Sequence, residues 1–523
     1  MRHRRTLPGA ALALLFASTF AGAATAAEQT ARHIAIDLHA PTHARDHFAD
    51  LSVGSDFPGT LIRDDSLAQL KTAKDELGFR YIRFHGIFHD VLGTYKVVDG
   101  KPVYDWTRID YLYDKLLGMG IKPFVELSFT PEAMKTSDNS IFYWKGNTSH
   151  PVPAQWAQLV EAFARHIEQK YGQDEVRSWF FEVWNEPNLD GFWEKADQKA
   201  YFELYDLTAA TLKRVDPQLR VGGPSTAGAA WVPEFLAHTR QSGAAVDFIT
   251  THTYGVNGGF LDEEGKGDNK LSSAPDSIVG DVRKVKKEIE ASYLPTLPLY
   301  FTEWSTSYSP RDLVHDSYMS AAYILSKLKA TEGTAQGMSY WTYTDLFEEP
   351  GPPTAPFEGG FGLMNPQGVR KPAWFAYKYL HELGEQQVPS SDPQSWVTRD
   401  AGGVQVLAWD FQTPDMGNKS DRPFFGRVQP TTSSAPLTLS LTGMAPGTYK
   451  VRIYRTGFKA NDAHTAYIEM GKPKTLTNGQ LAQLQAQTLD KPETRTVKVA
   501  ANGAANLQVT MRANDVVLVK IAK

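Results

Sequence analysis

The feature that most constrains this chain is an alternation. Short, nearly continuous apolar runs recur between helical stretches, and eight can be placed in order: 51–56, 80–85, 122–128, 178–185, 219–223, 246–254, 299–304 and 337–343. A run such as Phe180-Phe181-Glu182-Val183-Trp184 puts apolar side chains on both faces, as a parallel strand covered on both sides requires. Between the runs, 157–167 sets Leu159, Phe163 and Ile167 four residues apart on one helical face. The stretch 201–215 repeats that pattern, and Pro217 predicts its end. Eight strands and their helices over about 300 residues fit a (β/α)8 TIM barrel in count and size. A doubly wound open sheet is the alternative. It is weakened because no glycine-rich phosphate loop follows any of the strands.

Near residue 388 the texture changes. Alternating stretches at 404–409, 437–441, 449–454 and 516–520 are separated by Pro, Gly, Asn and Ser turns, the pattern of a C-terminal β-sandwich. The Gln- and Leu-rich stretch 478–489 is expected as a helix inserted in it. Ile34-Ala35-Ile36 has no place in the barrel order, so 28–45 is a candidate addition to the sandwich. The expected organisation is therefore 1–27 as a signal peptide, 28–387 as barrel and 388–523 as sandwich.

The amino terminus carries Arg2, Arg4 and Arg5, an apolar run from Leu12 to Phe20, and a cleavage site in Ala24-Thr25-Ala26-Ala27. That order of charge, apolar run and small residues is a secretory signal, and the run is too short to span a bilayer. Export to the periplasm or the medium is expected, with no membrane attachment after cleavage. With no cysteine in the chain, neither disulfides nor a lipidated cysteine are available. A formal net charge of −5 argues against a nucleic-acid partner, which calls for a basic surface. The 12 Trp and 22 Tyr suit stacking on sugar rings, although most aromatics serve cores.

A barrel of this kind builds its site at the C-terminal ends of the strands. Two carboxylates stand there: Glu186 in Trp184-Asn185-Glu186-Pro187-Asn188, and Glu303 in Tyr300-Phe301-Thr302-Glu303-Trp304. They end the fourth and seventh runs, across the barrel mouth from each other. Cleaving a glycosidic bond needs a proton donor to the leaving oxygen and a second carboxylate on the other side of the anomeric carbon. A buried salt bridge is the bland alternative, but a charge placed directly after an apolar strand is costly for packing alone. His252 and Tyr254, two apart on the sixth run, share a face and can both point into the site. Trp341 can floor a sugar or pack in the core. Glu348 and Glu349 are adjacent acids in a Pro/Gly-rich loop, and the sequence does not rank them. Phe192 and Tyr308 are weaker candidates, and Glu126 and Glu132, flanking the end of the third run, are discounted. Neither a metal-ligand spacing nor a serine nucleophile elbow occurs, and no cofactor is expected.

The segment Phe181-Glu182-Val183-Trp184-Asn185-Glu186-Pro187-Asn188, with Gly191-Phe192-Trp193 behind it, resembles the acid/base motif of glycoside hydrolase family 39. Phe301-Thr302-Glu303-Trp304 is similar to that family's nucleophile strand. Asp345-Leu346-Phe347-Glu348-Glu349-Pro350, followed by Gly359-Gly360-Phe361-Gly362-Leu363, resembles its loop after the eighth strand. The resemblance spans the barrel in the right order and implies a retaining mechanism with an accessory β-sandwich. It also implies that Asn185 holds the sugar 2-OH, that His85 in Arg83-Phe84-His85-Gly86 contacts sugar, and that His252 and Tyr254 border the nucleophile.

Members of that family include β-xylosidases and α-L-iduronidases. A uronate favours Lys or Arg in the pocket, whereas the strand ends read here offer acids and aromatics, so a β-xylosidase acting on a glycoside or oligosaccharide is expected. An arabinosidase, an iduronidase and an endo-acting exopolysaccharide hydrolase are the enzymic alternatives. A non-catalytic carbohydrate-binding barrel would have lost one carboxylate, and both are present. Oligomeric state is not legible.

Overall fold

The structure is a computed structural model and describes residues 32–523. The signal segment 1–27 lies outside the described residues. Eight parallel strands, Ser52–Ser55, Tyr81–Phe84, Lys122–Leu127, Phe180–Val183, Arg220–Thr226, Phe248–Tyr254, Leu299–Ser305 and Gly337–Tyr340, close into a barrel. Tyr340 pairing with Val53 completes the ring. All eight expected runs become barrel strands.

The strands are apolar outward because helices cover them. The helix Pro153–Tyr171 buries Trp156, Leu159, Val160, Phe163, Ala164 and Ile167, starts on a proline whose missing N–H costs nothing there, and ends at Gly172. Each buried Leu or Phe on such a face contributes roughly 1.5–3 kcal/mol. The helix Gln198–Val215 is capped by the Asp197 side chain on the Ala200 amide and stops at Asp216, since the residue before a proline is pushed out of the helical region. Inside, Phe124, Phe180 and Phe248, with Tyr81 and Tyr300, plug the bottom of the barrel. Side chains two residues further along three of those strands, Arg83, Glu126 and Glu182, are charged and fully buried. Aromatic packing thus gives way to a polar layer directly beneath the mouth.

The carboxyl-terminal part forms two sheets. Seven strands pair in the order His43–Ala44, Gln386–Val388, Ser395–Asp400, Gly403–Trp409, Val516–Ala522, Gly447–Thr456 and Glu493–Val499. The second sheet is Arg32–Asp37, Leu437–Thr442 and Ala505–Val509, so the strand holding Ile34 and Ile36 runs parallel to Leu437–Thr442, far from it in sequence. Ile34, Ile36, Leu437, Leu439, Leu441, Val406 and Val519 share the sandwich core. The Gln- and Leu-rich insertion forms the helix Asn478–Ala486. Period-two alternation gives the sandwich a second buried face. Leu407, Trp409, Val516 and Leu518 point the other way and join the core of the barrel. At that junction Trp409 donates to Ser326 Oγ (2.8 Å) and Trp396 donates to Glu332 Oε1 (3.0 Å).

No helix of the described residues is long and apolar enough to cross a membrane.

Candidate active site

The fourth strand ends earlier than its apolar run suggests. It stops at Val183, and Trp184 (φ 71°) and Glu186 (φ 46°) take left-handed backbone that side-chain-bearing residues rarely adopt. Such strain costs roughly 1–3 kcal/mol per residue and persists only where the surroundings impose it. Here the Glu186 amide donates to the Ser225 carbonyl (2.8 Å), and the Trp184 indole donates to the Phe192 carbonyl (2.7 Å). The kink turns Glu186 inward over the mouth. Glu303, still within its strand, faces it.

A carboxyl oxygen of Glu186, one of Glu303 and a ring nitrogen of His252 all lie within 4.8 Å of one another. Oxygens of the two carboxyl groups that close leave less room than the ~6.5–9.5 Å that a water between them needs, and favour direct displacement. A cation could use the same spacing, but the Arg83 guanidinium already sits on Glu303, so a metal there would meet a like charge.

The two glutamates sit in different surroundings. Glu303 Oε1 accepts from Arg83 Nη1 (2.8 Å), and its Oε2 accepts from the Tyr254 hydroxyl (2.6 Å). Two donors thus fix the direction of its carboxyl group. Glu186 has no such cation. Burial pushes its pKa up to about 7, against the lowering influence of His85 and Arg83 further off. His252 Nδ1 lies 2.8 Å from Glu186 Oε1, and burial drives that imidazole down to about 4, so it is neutral near pH 7. Burial thus favours the protonated form of Glu186, while a guanidinium and a phenol hydroxyl hold Glu303.

Arg83 organises the floor. Its Nε donates to Glu182 (2.5 Å), its Nη2 donates to Asn185 Oδ1 (2.8 Å), and the same Nη2 lies 2.9 Å from Glu126 Oε2. Thr302 donates to the remaining oxygen of Glu182 (2.7 Å). With its oxygen occupied, Asn185 keeps a buried amide nitrogen with no partner among the described residues, and His252 Nε2 is likewise unpartnered. Buried polar atoms are normally satisfied, so these two stand out.

On the far side, His85 lies between Glu126 (Nδ1, 2.8 Å) and Glu349 (Nε2, 3.0 Å). Burial alone would make that ring neutral, but Glu126 and Glu349 hold it well above the usual histidine range. Burial raises Glu349 to about 8, although its bond to His85 opposes the shift. Trp341 lies just past the end of the eighth strand rather than on it. Its ring is 4.8 Å from that of His85 and 5.6 Å from the Arg83 guanidinium carbon.

The structure places the remaining candidates as follows. Glu348 does not share the pocket with Glu349; it turns outward to Arg63 (2.9 Å). Glu126, discounted above, is fully buried and bridges Arg83 and His85 while accepting from the Gly86 amide (3.0 Å). Glu132 opens the short 3-10 helix Glu132–Met134 and pairs with Lys135. Phe192 packs edge-on against Phe142 (5.2 Å), and Tyr308 stands half-exposed at the rim, 6.4 Å from Tyr254. Beside those acids and aromatics the site also holds a cation, Arg83, which is saturated by Glu126, Glu182 and Glu303. Arg83 lies two residues before His85, so strand periodicity carried the signal. Glu126 and Glu182 carried it as charges inside apolar runs. Asp56 carried it as the charge that ends the first run, whereas Trp144, joined to it by a 3.0 Å bond, had no such mark.

Residues 33–506 match the model of glycosyl hydrolases family 39. The chain is 41% identical over 356 residues to a β-xylosidase of Caldicellulosiruptor saccharolyticus, covering 68% of this chain and 72% of that protein. Among solved structures, it is similar to a monomeric β-xylosidase from Caulobacter crescentus CB15, at 63% identity with a TM-score of 0.92, over 94% of this chain and 99% of that one. It is also similar to a GH39 enzyme from Xanthomonas axonopodis pv. citri, at 61% identity with a TM-score of 0.93, over 94% and 97% of the two chains.

Proposed function

The chain belongs to glycosyl hydrolases family 39, and on that premise we propose a division of labour in which Glu186 is the acid/base and Glu303 the nucleophile of a retaining exo-β-xylosidase. The observation that carries it is the pair itself: an oxygen of each carboxyl group within 4.8 Å of the other, one group paired with a guanidinium and the other pushed to about 7 by burial. In the first step Glu186 gives its proton to the leaving oxygen while Glu303 bonds to the anomeric carbon, and the aglycone departs. The ester removes the charge on Glu303, so Glu186 loses a neighbouring anion that favours its protonated form, and its pKa falls. It then takes a proton from water, which attacks the anomeric carbon and frees Glu303. Asn185, with its unpartnered amide, is placed to bind the 2-OH, and His85 with Glu349 offers donors and acceptors to the hydroxyls further round the ring.

A xyloside fits these groups better than a uronate. Holding a sugar carboxylate needs an available cation, and Arg83 beneath the mouth is already engaged by three carboxylates. Purified protein should therefore release xylose from 4-nitrophenyl β-D-xyloside and from the non-reducing end of xylo-oligosaccharides. Turnover of the matching α-L-iduronide in preference to the xyloside would overturn the assignment. Export is part of the same reading, supported by the charged, apolar and small-residue order of residues 1–27. Amino-terminal sequencing of the exported protein should begin at Glu28; an intact Met1 would contradict it.

A further inference from the structure

We propose that Asp56 is a positioning residue for the sugar pocket: one buried carboxyl group that holds Trp144 and the Glu349 loop in a fixed relation. The inference rests on the β-xylosidase reading above. Asp56 directly follows the first barrel strand and is fully buried. Its Oδ1 accepts the indole N–H of Trp144 (3.0 Å), and its Oδ2 accepts the backbone amide of Glu348 (2.8 Å) and the Thr60 hydroxyl (3.1 Å). Its own carbonyl accepts the His85 amide (2.9 Å). Asp56 is thus bonded to three separate segments that wall the pocket. Among the described residues no Lys or Arg pairs with it, so burial raises it to about 7, and the Glu348 amide, the charge of nearby His85 and the Thr60 and Trp144 donors offset part of the cost.

The consequences follow from what each bond fixes. Trp144 lies flat on Phe57 (4.6 Å, 6° between planes) and beside Phe142 and His85. Its indole bond to Asp56 sets the rotation of the ring in that stack. The Glu348 amide is the peptide group next to Glu349, whose carboxyl meets His85. Pinning that amide fixes the direction in which Glu349 points, while Glu348 turns away to Arg63. The Tyr143 amide donates to the Glu349 carbonyl (2.8 Å), so the loop carrying Trp144 and the loop carrying Glu349 also meet directly. An asparagine at 56 could not replace the carboxyl group. Its single oxygen faces two N–H donors, and its own NH2 would oppose one of them.

The test is steady-state kinetics on 4-nitrophenyl β-D-xyloside, with the Ki of D-xylose as an independent reading of the pocket. Asp56→Ala and Trp144→Phe should each raise KM and Ki at least ~10-fold, the scale of one hydrogen bond to a charged group, with kcat changed by less than about threefold. In the Asp56→Ala background, Trp144→Phe should have little further effect, because its bond is already gone. Unchanged KM and Ki, or a full Trp144→Phe effect in that background, would overturn the proposal. So would a lowered Tm with KM and Ki intact, which would assign Asp56 to stability alone. Should Asp56→Ala fail to fold, Trp144→Phe decides by itself: unchanged KM and Ki overturn it. Wild-type protein inert toward the xyloside would instead overturn the activity reading, a separate outcome.

Discussion

At Glu186, burial and proposed chemistry act on the same proton. Its raised pKa of about 7 means that the acid form persists where an ordinary glutamate is ionised. The rate constant kcat/KM on a poorly activated xyloside should therefore decline as pH rises through about 7. A profile flat to pH 9 would contradict the acid role. Linkage gives a second reading of the same group. The folded protein binds this proton more tightly than the unfolded chain, so its contribution to stability is whole below the ordinary glutamate range and is lost as pH climbs to about 7. Glu186→Gln should gain in Tm relative to wild type between pH 4.5 and 7, and a constant difference would count against the shift. Glu186→Ala should nearly abolish turnover of poor leaving groups, spare activated aryl xylosides in part, and recover with azide as a β-xylosyl azide. Equal losses on both substrates with no azide product would remove Glu186 from the role. Both glutamates were legible in the sequence because a carboxylate after an apolar strand is too costly to be incidental. Glu348 and Glu349 were not separable there, since the Asp56 bond to one backbone amide decides which side chain faces in.

At the scale of elements, the polar layer beneath the mouth stands on periodicity. Arg83, Glu126 and Glu182 come from three strands and meet only because each faces the interior. Arg83→Met should leave Glu126, Glu182 and Glu303 without their counter-charge and cost about 3–5 kcal/mol. Urea denaturation measures this, and an unchanged midpoint would show that the network is not holding the layer. The strands themselves were legible because parallel strands covered on both faces are apolar throughout. Their ends were less so: Trp184 and Glu186 leave the ladder through left-handed backbone, which an apolar run does not announce. The segment around Phe142 and Trp144 has no periodicity, and its place beside His85 is set by the Asp56 and Phe57 contacts, which join residues far apart in sequence.

The whole molecule is two layers of core that share one seam. Leu407, Trp409, Val516 and Leu518 belong to sandwich strands but pack with the barrel, and Asp490 from the sandwich accepts from Lys378 and Tyr379 of a barrel helix. A chain ending near residue 387 would expose that seam, and would also strand Arg32–Asp37 without its partner Leu437–Thr442. It should be insoluble or strongly destabilised; a well-folded, fully active barrel from that truncation would contradict the shared core. The parallel pairing of Arg32–Asp37 is with a strand 405 residues on, from Arg32 to Leu437. Ile34-Ala35-Ile36 could be recognised as a strand without a place in the barrel, but its partner is set by the return of the chain, not by local pattern.

The central claim is a covalent intermediate on Glu303, and its most direct test is peptide mapping after inactivation by a 2-deoxy-2-fluoro-β-xyloside with a good leaving group. The fluorine slows both steps and the leaving group restores the first, so the ester accumulates. Time-dependent inactivation and a fluoroxylosyl mass on the peptide that contains Glu303 are the expected result. A label on any other residue, or inactivation without a covalent adduct, would contradict it.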